Sequence, residues 1–241
     1  MAESVEIVEV TPVRKNNPTV VTGFTGSGFI GNTALMYIIR QKRFPLRATV
    51  KSHLIPPMML LIEGKPTPVF RIYSDEKGKV LYVLSEALIS AENAWTIGIE
   101  LIKWFRSKGV KEFIFLDGMP FSVTGPERPV FGFTTTGEKL EKYGVKPTNE
   151  GGISGLNAVL LDRALEYEIP WTTFLVPTSQ SQMVDYGGAA VAIEVLNKIF
   201  KLGVNTEPLK KSNEFRRKMM GKDRREKRGF LDSLRKRRSG T

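Results

Sequence analysis

Apolar residues recur along this chain with two periods that alternate. Val5–Val10 and Thr19–Phe24 are short β-rich runs that read as strands, and Ile30–Gln41 reads as a helix. Arg47–Lys51, Val69–Tyr73 and Val80–Leu84 are further short strand candidates, set among Pro56-Pro57, Pro66, Pro68 and the turn Asp75-Glu76-Lys77-Gly78. A helix follows: Trp95, Ile99, Ile102 and Phe105 fall three or four apart on one face, Ser90 can cap its start and Gly109 stops it. Val110–Leu116 is the next strand. Its unbroken Phe113-Ile114-Phe115-Leu116 is what a central strand covered on both faces requires. Phe131–Thr136 is a strand candidate, Gly152–Tyr167 a helix with Leu156, Leu160 and Ala164 on one side, and Trp171–Val176 another strand. Asp185 can cap a last helix with the stripe Ala189, Ile193, Leu196 and Phe200, ended by Gly203. The alternation predicts one α/β domain, a mostly parallel sheet between helices.

Charge divides the chain at a different level. Residues 1–200 hold 21 Lys/Arg against 20 Asp/Glu, whereas residues 201–241 hold 15 against 5. The net charge of +11 therefore belongs to the C-terminal end, and the body is close to neutral. We divide the chain into an α/β body, residues 1–203, and a basic arm, residues 204–241, sparse in apolar positions. With 41% hydrophobic residues the body can bury a sizeable core. The chain has no cysteine, which removes disulfides, thiolate metal sites and a cysteine nucleophile together. No stretch approaches the ~20 apolar residues of a membrane span. The first residues, MAESVEIVEV, are acidic where a secretion signal is basic. A soluble, cytoplasmic protein is expected.

Candidate chemistry centres on Gly26-Ser27-Gly28-Phe29-Ile30-Gly31, a literal G-x-G-x-x-G between a strand and a helix. Such a loop supports two readings. Its glycines can bring the backbone close to a pyrophosphate at the helix N-terminus. They can equally provide a tight turn and close helix–strand packing. A dinucleotide site also wants an acidic residue about 20 positions on. There the chain reads Arg47-Ala48-Thr49-Val50-Lys51-Ser52-His53, with no Asp or Glu before Glu63. No Gly-Lys-Ser/Thr follows, so a Walker-type loop is excluded. Asp117-Gly118 ends the best central strand, where α/β sheets bind ligands, and is also a common turn pair. Ser154 could be taken for a nucleophile or for part of a helix entry. The single histidine, His53, would have to serve any Ser-His-Asp triad. No His/carboxylate cluster has metal-ligand spacing.

Four segments occur in order: VVTGFTGSGFIGNTALMYIIR, KVLYVLSEALISAENAWTIGIELIKWFRSKGVKEFIFLDGM, GGISGLNAVLLDRALEYEIPWTTFLVPTS and DYGGAAVAIEVLNKIF. Their succession over residues 5–203 resembles the proteasome assembly chaperone family, in its archaeal branch. The resemblance implies a three-layer α/β/α sandwich with a nucleoside-phosphorylase-like layout. It makes Gly23, Gly26, Gly28, Gly31, Gly152 and Gly155 fold-signature glycines, and so favours the structural reading of the loop. It implies no catalytic residue, cofactor or metal. As partners it implies proteasome α-subunits or the core particle, bound without ATP by a homo-oligomer, trimer to pentamer. Some members dock through a C-terminal hydrophobic–Tyr–any ending. This sequence ends Arg238-Ser239-Gly240-Thr241 and its last tyrosine is Tyr186, so docking of that kind is not expected.

The basic arm supports three readings: a solvated extension, a protein-binding segment, or a nucleic-acid contact. Phe230, Leu231 and Leu234 form a small apolar face that could anchor on a partner, with Arg235, Lys236, Arg237 and Arg238 steering the encounter. Its arginines could also pair with phosphates, but with aromatic residues only at Phe215 and Phe230 base stacking would be weak.

Overall fold

A computed structural model describes residues 5–121, 128–179 and 183–214. The expected anchors Phe230, Leu231 and Leu234 and the cations Arg235, Lys236, Arg237 and Arg238 lie outside the described residues.

The strands are β1 (Glu6–Glu9), β2 (Thr19–Gly23), β3 (Leu46–Lys51), β4 (Met59–Ile62), β5 (Lys65–Pro68), β6 (Phe70–Ser74), β7 (Val80–Ser85), β8 (Glu112–Pro120), β9 (Val130–Thr134), β10 (Val145–Pro147) and β11 (Trp171–Thr178). The helices are α1 (Ile30–Lys42), α2 (Ala91–Ser107), α3 (Gly155–Glu166) and α4 (Tyr186–Phe200). Nine strands form one sheet in the order β1-β3-β6-β7-β2-β8-β11-β9-β10, and β4 and β5 form a separate hairpin.

The expectation of a mostly parallel sheet is corrected. β7, β2, β8 and β11 are parallel neighbours at the centre, but β1, β3, β6 and β7 run antiparallel in turn, and β11 pairs antiparallel with β9. Parallel neighbours need a crossover of a dozen or more residues, whereas β6 and β7 are joined by a tight turn. In that turn the Asp75 carboxylate accepts from the N–H groups of Lys79 and Val80.

Two cores cover the two faces of the sheet. Ile30, Leu35 and Ile38 of α1 and Ala189, Ile193 and Leu196 of α4 pack on one. Ile97, Leu101 and Phe105 of α2 and Leu156, Leu160 and Ala164 of α3 pack on the other. Three layers result, as the sequence suggested. β2 and β7 are buried along their whole lengths, as strands sandwiched between helices must be. Ser90 caps α2, its side chain accepting from Asn93 N–H, and Asp185 caps α4 by accepting from Gly188 N–H.

Two details differ from the pattern reading. The buried side of α2 is Ala94, Ile97, Gly98, Leu101, Ile102 and Phe105, while Trp95 is 48% exposed. α3 approaches so closely that the Val159 side chain sits where a Cβ on Gly98 would be. The packed body also continues past Gly203. Leu202, Val204 and Leu209 belong to the α1/α4 core. Asn197 exchanges two hydrogen bonds with the Val204 backbone, and Tyr37 and Lys42 donate to the carbonyls of Asn205 and Leu202. Residues 207–214 are helical. The composition changes near residue 204, but the core extends to Leu209.

Candidate functional site

The glycine loop lies at the C-terminal edge of the parallel strands. Residues 27–29 form a single 3-10 turn, and α1 begins at Ile30. Each glycine meets the protein's own atoms. A Cβ on Gly31 would lie 2.6 Å from the Leu116 carbonyl oxygen of β8. One on Gly26 would lie 2.5 Å from the Asp117 carboxylate, and one on Gly23 would collide with the Gly31 carbonyl. Gly118 on β8 is pressed against the Ser27 carbonyl, leaving no room for a side chain there. Gly28 has φ +67°, and its carbonyl accepts from Asp185 N–H at 2.9 Å. The loop is thus filled by β8 and the entry to α4. Gly152 has open space around it, and Gly155, also in open space, holds φ +61° as the first residue of α3.

Beside the loop is a cavity of about 360 Å³, lined by Gly26, Ser27, Leu88, Asp117, Ser154 and Asn157 among others. Thr22 donates to the Asn157 side-chain oxygen at 2.7 Å, and Asn157 reaches the Leu116 carbonyl, tying α3 to β2 and β8. Asp117 accepts from Gly118 N–H at 2.8 Å. Burial pushes its carboxyl up to about 6, against the lowering effect of the hydrogen bonds from Gly118 and Asn157. Ser154 occupies the N-cap of α3 without making a cap hydrogen bond. No histidine lines the cavity, and His53 is exposed on the loop after β3, so no Ser-His-Asp triad forms there; the titratable group that shares the lining with Ser154 is the Asp117 carboxyl. Among the described residues no group of three His, Cys, Asp or Glu is placed to hold a metal ion.

Beneath Gly28 lies a buried polar knot. Asp185, fully buried, receives hydrogen bonds from Thr178, Gly188 N–H and Arg128. Burial pushes its carboxyl up, but these three donors outweigh that and hold it below the usual range. Its partners are all internal, so its work is to fix the loop and the start of α4.

The sequence reading missed the exposed apolar groups. Leu61 is 78% and Leu88 71% exposed, and Met58, Met59, Trp95 and Leu165 are exposed with them. All six stand on elements of the α2/α3 side, where Leu54, Leu60 and Ala87 join the second core. The signal was present in Met58-Met59-Leu60-Leu61-Ile62, apolar at the outward positions of a surface hairpin where alternation calls for polar residues. No helix among the described residues is long and apolar enough to cross a membrane.

Comparison with known proteins now decides the family. The PAC2 family model matches residues 20–221. The chain belongs to the PAC2 family. An uncharacterized protein of Methanocaldococcus jannaschii is 29% identical over 216 residues, covering 89% of this chain and 88% of its own. Pyrococcus furiosus PbaA, an archaeal homolog of proteasome-assembly chaperone, superposes with a TM-score of 0.80 at 26% identity, covering 96% of this chain and 97% of that one. Pyrococcus furiosus PbaB, an archaeal proteasome activator, shares the fold, with a TM-score of 0.79 at 16% identity over 93% of this chain and 100% of its own. The PAC2 match runs past Gly203 and so includes the segment that packs on α1 and α4.

Proposed function

We propose that this PAC2 protein is a non-enzymatic binding protein of the cytoplasm that engages proteasome α-subunits or the core particle as a homo-oligomer of three to five copies. The observation that carries this reading is the near full-length likeness to PbaA, a homolog of proteasome-assembly chaperone. Two features of the site support it. The glycine loop is packed against β8 and α4, and the cavity beside it holds no histidine to complete a triad with its serine. The exposed apolar groups of the β4–β5 hairpin and the α2/α3 layer offer a surface for self-association. Phe230, Leu231 and Leu234 would anchor on the partner, with Arg235, Lys236, Arg237 and Arg238 raising the encounter rate with an acidic surface.

The test is capture of purified α-subunits and of assembled proteasome by the full-length protein at two salt concentrations, with duplex and single-stranded nucleic acid as competitors. Retention of α-subunits in the presence of nucleic acid is the expected result. Capture of nucleic acid alone would defeat the proposal.

A further inference from the structure

A second cavity, of about 580 Å³, lies away from the glycine loop. One wall is the segment 11–16 between β1 and β2, another is the β6–β7 turn, and Arg47 of β3 and Ser74 of β6 complete it. Asn16 joins the walls: its side-chain amide donates to the Lys77 carbonyl at 2.9 Å, and Lys79 Nζ donates to the Asn16 carbonyl at 3.3 Å.

Its lining is strongly basic although the body as a whole is neutral. Among the described residues Arg14, Lys15, Arg47 and Lys77 share the lining with Glu76 as its one carboxylate. Arg47 is held by neutral groups, with Nε donating to Ser74 Oγ at 2.7 Å and Nη1 to Thr11 Oγ1 at 3.3 Å, and Ser74 is itself buried. Its charge is therefore positioned but not compensated. None of the ion pairs among the described residues involves Arg14, Lys15 or Lys77. The nearby Asp75 is turned away, onto the backbone N–H groups of Lys79 and Val80. Four cations around one concavity repel one another, and an anion with several charges converts that repulsion into attraction. The volume suits a small ligand. Among the described residues no aromatic side chain lines the cavity to stack on a nucleobase.

We propose that this cavity binds a chain of two or three linked phosphates, free or as the phosphate tail of a nucleotide, recognised through Arg47 at its floor and Arg14, Lys15 and Lys77 on its walls. The proposal stands apart from the proteasome reading, since among the described residues neither the apolar hairpin nor the segment after residue 203 lines the cavity.

The test is calorimetric titration of the full-length protein at physiological salt with tripolyphosphate, ATP and adenosine. Because the C-terminal arm also carries cations, site-specific variants decide. Arg14 and Lys77 are exposed, so the double variant Arg14→Gln/Lys77→Gln keeps the fold, which a thermal melt verifies. It should weaken tripolyphosphate binding by about tenfold or more, from the loss of two charge-assisted contacts. Glu76→Gln, which removes a charge of the ligand's own sign, should tighten it. ATP should bind comparably to tripolyphosphate, and adenosine should not bind. Equal affinity of the double variant and the natural protein would overturn the proposal, as would adenosine binding as tightly as ATP.

Discussion

Asp117 ends the buried stretch of β8, with its carboxyl between Gly26 and the Gly118 N–H. Burial raises it to about 6, whereas an aspartate in the unfolded chain titrates near 4. Between these pH values the native state keeps a proton that the unfolded chain has released. The stability this provides is complete below about pH 4 and is lost as pH rises through about 6. Asp117→Asn keeps an oxygen for the Gly118 N–H and never ionises. It should raise Tm by about 5 °C at pH 8 and change it little at pH 4, measured by thermal unfolding at both values. An equal effect at both would show that Asp117 ionises in the fold as easily as outside it. Single residues of this kind are only half legible in sequence. Asp117-Gly118 could be placed at a strand end by the run before it. That Gly118 touches the Ser27 carbonyl, and Gly31 the Leu116 carbonyl, depends on chain about 90 positions away, and no local spacing carries that.

Among the elements, the β4–β5 hairpin stands apart from the main sheet. A two-stranded hairpin is marginal in water by itself, and this one leans on the second core through Leu60 while turning Met59 and Leu61 outward. Those outward side chains are expected to be covered if the chain forms the homo-oligomer proposed above. Met59→Ser with Leu61→Ser should lower the molar mass seen by light scattering and leave the far-ultraviolet circular dichroism unchanged. An unchanged mass would place self-association elsewhere. The hairpin escaped the sequence reading because its prolines, Pro66 and Pro68, mark turns more strongly than Met59–Ile62 marks a strand. The antiparallel half of the sheet was within reach: residues 46–85 contain strand patterns with no helical pattern between them, and consecutive strands without a crossover pair antiparallel. α1, α3 and α4 were legible because the aliphatic residues on their inner faces recur at helical spacing, Leu35 and Ile38 in α1, Leu156 and Leu160 in α3, Ile193 and Leu196 in α4. α2 was rotated by about one position because Ala94 and Gly98, small residues chosen by the closeness of α3, form part of its inner face.

At the scale of the whole molecule, charge and packing divide the chain at different places. The charge balance changes after about residue 200, but Val204, Thr206 and Leu209 are buried against α1 and α4. Removing residues 204–241 therefore takes away core as well as charge. Losing two buried aliphatic side chains, at about 1.5–3 kcal/mol each, should lower Tm by about 10 °C or more. Removing residues 215–241 keeps these buried side chains and should lower Tm less. That segment carries 12 Lys/Arg and 3 Asp/Glu, so its loss takes the net charge from +11 to +2. Thermal melts of the two truncated forms decide where the folded body ends, and equal melting temperatures would refute a core that reaches Leu209. The shorter deletion also separates the protein's two basic features. It removes the arm's proposed anchors, Phe230, Leu231 and Leu234, and 12 of its cations but keeps Arg14, Lys15, Arg47 and Lys77 around their cavity. Loss of α-subunit capture in this form, at unchanged Tm and unchanged oligomer mass, would assign partner binding to the arm. Undiminished capture would place the partner on the body.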